Sequence, residues 1–262
     1  MRVAALIQSR MSSKRLPGKN LKPLQGRPML GRLIDRLKRS QSLDTICLAT
    51  SVDPSDAPLE DFAKAEGIQC FRGSLDDVMD RVVHAAQFVG ADLMVEVTGD
   101  CPLIDPAIID ATVARYRQGG VDYLINVLDK LSFPIGFDVQ VYRRELLEEV
   151  SALTNDPYDR VNVTPYIYRH ADKYQVINLL APPELDRPRY RLCVDYAEDF
   201  EVISAIYAGL LPQREDFDAF DIVDFLDNQP DLAKSNTNRE DSFTFPTSIG
   251  GIRHEVLNVP RS

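Results

Sequence analysis

Val3-Ala4-Ala5-Leu6-Ile7, followed by Gln8-Ser9-Arg10-Met11-Ser12-Ser13-Lys14-Arg15-Leu16-Pro17-Gly18-Lys19, is the stretch whose reading decides the fold. The first five residues form a short apolar run, the pattern of a buried strand. The segment after it, up to Pro28, contains Pro17, Pro23, Gly18 and Gly26. These exclude a helix or a central strand there. A loop therefore leaves the carboxyl end of the first strand, and it carries Arg10, Lys14, Arg15 and Lys19. Backbone N–H groups and basic side chains on one loop suit a polyphosphate, because several charges are neutralised at once.

The charge distribution agrees. Residues 1–40 hold eleven Lys/Arg against one acid, Asp35, whereas the whole chain carries −10. One basic segment on an acidic protein does not make the broad basic face that a nucleic-acid backbone needs, so no nucleic-acid partner is expected. A compact anion of three or four charges fits better. Arg32, Arg36, Lys38 and Arg39 are read as the solvated face of a helix.

Outward from this loop, strands are expected at 3–8, 45–50, 68–71 and 92–97, and helices at 28–39, 57–66, 75–89 and 106–118. In 75–89, Val78, Val82, Ala85, Ala86 and Val89 recur at the three-to-four spacing of one buried face. Such alternation implies right-handed crossovers and a mostly parallel α/β sheet, with ligands beyond the carboxyl ends of the strands. The second half is less regular. A strand is expected at 137–141, helices at 143–151 and 157–170, and a strand at 174–180. A short strand at 191–194 then ends at Asp195 and precedes a helix at 197–211. A main domain over 1–227 and an extended tail over 228–262 are expected, the tail docked partly through Phe243, Phe245, Ile249 and Val256.

At 262 residues, 44% apolar and 27% charged, the chain describes an ordinary soluble globule. No apolar run reaches a membrane span, and Gln8, Ser9 and Arg10 break the N-terminal apolar segment too early for a signal peptide. Four cysteines without a C-x-x-C pair read as reduced thiols of a cytoplasmic protein. Three scattered histidines argue against a histidine metal site or a His-driven triad. The G-x-G-x-x-G fingerprint, the P-loop and the G-x-S-x-G elbow are absent, which excludes the enzymes built on them.

Two acidic strand ends remain. Asp100 follows Glu96-Val97-Thr98-Gly99, and Asp195 follows Cys193-Val194. Neighbouring carboxylates facing a basic loop suit Mg²⁺ bridged to phosphate oxygens. A turn residue at Asp100 and a helix cap at Asp195 are the competing structural readings. Asp105-Pro106 has the layout of a helix start, so Asp105 is read as a cap.

The loop resembles the signature of the cytidylyltransferases that make CMP-Kdo and CMP-acylneuraminate, nearest to the branch of spore coat polysaccharide biosynthesis protein F. The likeness continues through Phe71-Arg72-Gly73-Ser74, Thr98-Gly99-Asp100-Cys101-Pro102, Gly136-Phe137-Asp138-Val139, Asp156-Pro157-Tyr158, Val163-Thr164-Pro165-Tyr166 and Val194-Asp195. It implies a nucleotide-diphospho-sugar transferase fold (Rossmann-like, GT-A-like) with a small β/α dimerisation lobe near 128–180, and a homodimer. It also implies Mg²⁺-dependent transfer of CMP from CTP to a sugar or sugar acid, with loss of pyrophosphate. Carried over, Arg10 and Lys19 match triphosphate-binding residues, and Asp100 and Asp195 match the Mg²⁺ carboxylates. Gln8, Ser9, Ser13, Arg72, Gly73 and Ser74 match the nucleotide-binding region. Asp138, Arg160 and Asn162 are the acceptor candidates. The chain departs from the pattern at Ser12-Ser13-Lys14, at Tyr196-Ala197 and at Asn162, where the branch often has histidine. GTP- or UTP-dependent transfer to a sugar phosphate, a glycosyltransferase, and a non-catalytic sugar-nucleotide binder are the alternatives.

Overall fold

The computed structural model describes residues 1–237 and 249–261. Chain order is β1 (Val3–Gln8), β2 (Pro23–Leu24), β3 (Arg27–Pro28), α1 (Met29–Leu37), β4 (Thr45–Ser51), α2 (Ala57–Ala65), β5 (Gln69–Gly73) and α3 (Val78–Phe88). Next come β6 (Leu93–Thr98), α4 (Pro106–Arg117), β7 (Tyr123–Ile125), β8 (Gln140–Arg143), α5 (Arg144–Leu153), α6 (Pro157–Asn162) and α7 (Pro165–Arg169). The chain continues with β9 (Val176–Leu180), α8 (Ala197–Leu210), α9 (Ala219–Asp227), α10 (Pro230–Lys234) and β10 (Arg253–Val256).

Eight strands form one sheet in the order β10-β9-β7-β8-β6-β1-β4-β5, and β2 pairs only with β3. β1 runs parallel to β4 and β6, and β4 to β5. Only β8 is reversed, antiparallel to β6 on one side and β7 on the other. The central strands β1, β4 and β6 are buried on both faces, as the apolar run of β1 requires. Val3, Ala5 and Ile7 enter one core with α1, α4, α8 and α9; Ala4 and Leu6 enter the other with α3 and α5. This is the period-two alternation of a strand read out in packing.

The regular first half follows the apolar pattern to within a few residues. Five differences stand against it. First, β8 starts at Gln140 rather than Phe137, because the Asn126 side chain replaces a neighbouring strand. Its Nδ2 donates to Phe137 O (2.8 Å) and its Oδ1 accepts from Val139 N (2.8 Å). Second, β8 pairs along both edges inside the sheet, with β6 and with β7. Third, the helix expected over 157–170 splits at Val163, which sits at φ 71°. Thr164 N closes a three-residue turn onto Asn162 O (2.9 Å), and Pro165, with no N–H to give, opens α7. Fourth, residues 191–194 form no strand; an isolated bridge joins Arg191 to Ile135, and Val194 N donates to Asp100 O (2.8 Å). Fifth, in the C-terminal segment Val256 is exposed, while Leu257 and Val259 are buried and Ile249 packs on the core. Phe243 and Phe245 lie outside the described residues. No described helix is long and apolar enough to cross a membrane.

Candidate active site

The loop after β1 is pinned before it reaches the site. Met11 N donates to the buried Asp56 carboxylate (2.7 Å), and Asn20 Nδ2 donates to Arg10 O (2.8 Å). Gly18, in the left-handed region at φ 70°, turns the chain into a short helical turn that starts at Lys19. The Lys19 side chain thereby points inward. Its Nζ donates to Asp100 Oδ2 (2.9 Å), Asp195 Oδ1 (3.1 Å) and Val194 O (2.7 Å).

Asp100 arrives from the turn after β6. A Cβ on Gly99 would lie 2.9 Å from the Ser9 side chain and 3.1 Å from Gln8 O, so glycine permits this turn to close against the end of β1. Asp195 also takes Arg15 Nη2 on Oδ1 (2.5 Å) and Arg191 Nη2 on Oδ2 (2.9 Å). It does not cap α8. Asp199 Oδ2 instead accepts the backbone N–H of Asp195 and Tyr196, each at 2.9 Å. Asp105 does cap α4, accepting from Ala107 N (2.8 Å).

Electrostatics follow this geometry. Burial opposes the Lys19 charge, but Asp100 and Asp195 more than offset it and hold its pKa above the ordinary lysine value. Burial likewise opposes the Asp100 charge; the Lys19 ammonium and its hydrogen bond win and hold Asp100 below the usual carboxylate range. Each carboxylate thus reaches the same small cation. Among the described residues no three His, Cys, Asp or Glu gather as a metal cage. Two carboxylates that need phosphate oxygens to complete a shell fit Mg²⁺, which prefers that ligand set.

Two cavities meet here. One of about 580 Å³ lies under the loop, against Ser9, Arg10, Ser13, Lys19 and Arg81. The other, about 250 Å³, is lined by Glu96, Ile125, Asp138, Gln140, Thr164 and Tyr168 among others. Gln8, Arg15, Thr98, Asp100, Val161, Asn162 and Asp195 border both.

Of the residues read from sequence, Gln8, Ser9, Arg10, Ser13, Lys19, Asp100 and Asp195 converge on these cavities, as do Asp138 and Asn162. Arg72 does not. Its guanidinium ties β5 to Ser51 O (2.9 Å), Asp53 O (2.8 Å) and Glu60 (3.0 Å). Gly73 and Ser74 stand behind the site, where Ser74 O accepts from Arg81 (2.5 Å). Arg160 is also held elsewhere: it binds Asp77 through Nε and Nη2 and Ser151 through Nη1, fastening α6 to the start of α3.

Arg81 is the site residue that sequence reading missed. It is 1% exposed and donates to the carbonyls of Ser74 and, at 3.5 Å, Leu75; its Nε has no partner among the described residues. Arg10 reaches the same Leu75 carbonyl (3.2 Å). Burial first, and the Arg10 charge second, push Arg81 down to about 10. Two adjoining guanidinium groups with no carboxylate bound to them among the described residues make a field that an anion relieves. The signal was present: Arg81 falls three residues after Val78 and one before Val82, on the apolar face of the helix.

Glu96 is another unforeseen group. Gln8 and Tyr142 both donate to its carboxylate. Burial pushes its pKa up to about 7, with those donors pulling it back. An unfolded glutamate titrates near ~4.3, so the native state keeps a proton that the unfolded chain has released. The stabilisation is full below that value and is lost as pH rises to about 7. The loss is of order 3 kcal/mol. Glu96→Gln should flatten this part of the profile. Urea midpoints of both proteins at pH 5 and pH 8 measure it, and parallel trends would remove the assignment.

Comparison with known proteins places this geometry in a family. The family model for cytidylyltransferases matches residues 4–219. The chain is 35% identical over 236 residues to spore coat polysaccharide biosynthesis protein SpsF of Bacillus subtilis (strain 168), spanning 87% of this chain and 95% of that one. It resembles the structure of a cytidylyltransferase from Leptospira borgpetersenii serovar Hardjo-bovis (strain JB197), with TM-score 0.83 and 32% identity, covering 93% of this chain and 100% of that one. A CMP:2-keto-3-deoxy-manno-octonic acid synthetase complexed with CTP shares the fold at TM-score 0.60 and 20% identity, over 79% of this chain and 99% of that one. By the extent of the matched region and by overall identity to these relatives, the chain belongs to the cytidylyltransferase family.

Proposed function

We propose that the protein transfers CMP from CTP to a sugar or sugar acid, with release of pyrophosphate, in the making of a surface glycan. One observation carries the reading: the Lys19–Asp100–Asp195 cluster lies where a basic cavity and a second, mixed polar and apolar cavity meet. The SpsF relative, named for spore coat polysaccharide biosynthesis, supports the glycan assignment.

Arg10, Lys19 and Arg81 would bind the triphosphate, with Ser9 and Ser13 lining its cavity. Gln8 spans both cavities, and Asp138, Asn162 and Gln140 would orient the acceptor. An acceptor oxygen bonds to the α-phosphorus, the bond to the β-phosphate breaks, and the hydroxyl proton leaves to water. Displacement at phosphorus depends mainly on positioning and on neutralising spread charge, so no side-chain nucleophile is required. Asp100 and Asp195 would hold Mg²⁺, which supplies further neutralisation of the phosphate oxygens when bound.

CTP should bind more tightly with Mg²⁺ than with EDTA, and more tightly than GTP or UTP. Titration calorimetry over the nucleotides tests both points; equal affinity with and without metal sinks the metal assignment. A pyrophosphate-release screen over sugars, sugar acids and sugar phosphates then identifies the acceptor.

The same reading includes a homodimer. β8 is interior and offers no surface for it. Leu153, Tyr158 and Val161, each about half exposed on α5 and α6, are apolar groups that a second copy would cover. Light scattering at micromolar concentration should give twice the chain mass; a clean 29.5 kDa species contradicts the dimer.

A further inference from the structure

We propose that Asn236, which lies beyond the region matched by the family, is a positioning residue for the Asp195 carboxylate. The inference rests on the reading that Asp195 serves the reaction. The matched region ends at 219, and α9 and α10 follow it. The turn after α10 then inserts Asn236 into the interior, where it is 2% exposed.

Asn236 Nδ2 donates to Asp199 Oδ1 (2.9 Å) and to Arg191 O (3.0 Å). Asp199 Oδ1 also takes Arg191 Nε (3.0 Å), while its Oδ2 holds the Asp195 and Tyr196 peptides. Arg191 Nη2 completes the chain on Asp195 Oδ2. One oxygen and the backbone of Asp195 are thus fixed through Asn236, leaving Oδ1 to Lys19 and Arg15. Arg191 and Asp199 are themselves buried, and a buried ion pair depends on having its remaining hydrogen bonds satisfied. Asn236 Oδ1 has no hydrogen-bond partner among the described residues. An unpaired buried amide oxygen is a cost that an apolar side chain of similar size avoids, so the donor half is the part in use.

The test is calorimetry of CTP binding to full-length Asn236→Ala and Asn236→Ser, with Mg²⁺ and with EDTA, melting curves alongside. Loss of an outer partner of a metal ligand typically costs at least about tenfold in metal affinity. The expected result is that loss in the Mg²⁺ enhancement for the alanine variant and a smaller one for serine, which keeps a donor. Metal-free CTP affinity, set by the basic loop, should stay within about twofold. An intact enhancement with a lowered melting temperature, or equal losses in both arms, overturns the proposal and leaves Asn236 a fold peg. If the alanine variant does not fold, the serine variant is judged by the same comparison. Wild-type protein that binds CTP in neither arm overturns the proposed function, and this inference with it.

Discussion

Asp100→Ala and Asp195→Ala should each remove most pyrophosphate release, on the order of 10²-fold or more. The double variant should be little worse than either. Both carboxylates contact one cation in the structure, so they act as a unit, and groups that serve one step are not additive. A pure turn at Asp100 would predict otherwise: about 1 kcal/mol of stability lost, the central size for a point substitution, and turnover nearly intact. The cap reading of Asp195 is already gone, because Asp199 accepts the N–H groups at the start of α8. Asp195→Ala should nevertheless destabilise, since Arg15, Arg191 and Lys19 would all lose a carboxylate. Rates of the three variants, with melting curves, decide the matter. Near-normal rates with lowered melting temperatures would end the catalytic assignment.

Lys19→Ala should lower turnover by about 10²–10³ while the fold survives, the usual loss for one positioned charge donor. Its effect on pH dependence is specific. In the wild type, Asp100 is held below the usual range, so its contribution to stability is present above the unfolded aspartate value of ~3.9 and is lost as pH falls through the lower native value. Lys19 works in the other direction: its contribution is complete below the unfolded lysine value of ~10.4 and is lost as pH rises through its higher native one. Without the ammonium, burial raises the native Asp100 pKa, so the acid-side loss should shrink, and the alkaline loss contributed by Lys19 should vanish. Steady-state kinetics and pH-dependent melting read both effects. Wild-type turnover in a folded variant refutes the triphosphate role.

Legibility in the sequence depended on how much of each element's stability is local. β1, β4 and β6 are largely apolar runs, and their ends were read to within a residue or so. β7 has three residues and no period of its own; it exists because β8 and β9 flank it. β10 pairs through its backbone while Arg253, His254 and Val256 stay exposed, so no apolar pattern announces it. The convergence of Lys19, Asp100 and Asp195 was legible as ordered motifs. Arg72 and Arg160 show the limit of such reading. A guanidinium reaches several ångströms in any direction, and only the folded neighbours decide whether it faces a cavity or, as here, Asp77 or Ser51.

The C-terminal strand has a consequence for how the chain survives its own synthesis. β9 reads Val176-Ile177-Asn178-Leu179-Leu180, and until residues 253–256 arrive its outer row of N–H and C=O groups lies bare. An apolar strand with an open edge is a template for pairing with another chain. β10 closes that edge and presents charge in its place: Arg253, His254 and Glu255 point the sheet's last boundary toward water, with Glu255 clamped by Arg115 and His254 facing Asp129. A nascent or clipped chain without these residues would therefore lose its protection against self-association while keeping every residue of the Lys19–Asp100–Asp195 cluster.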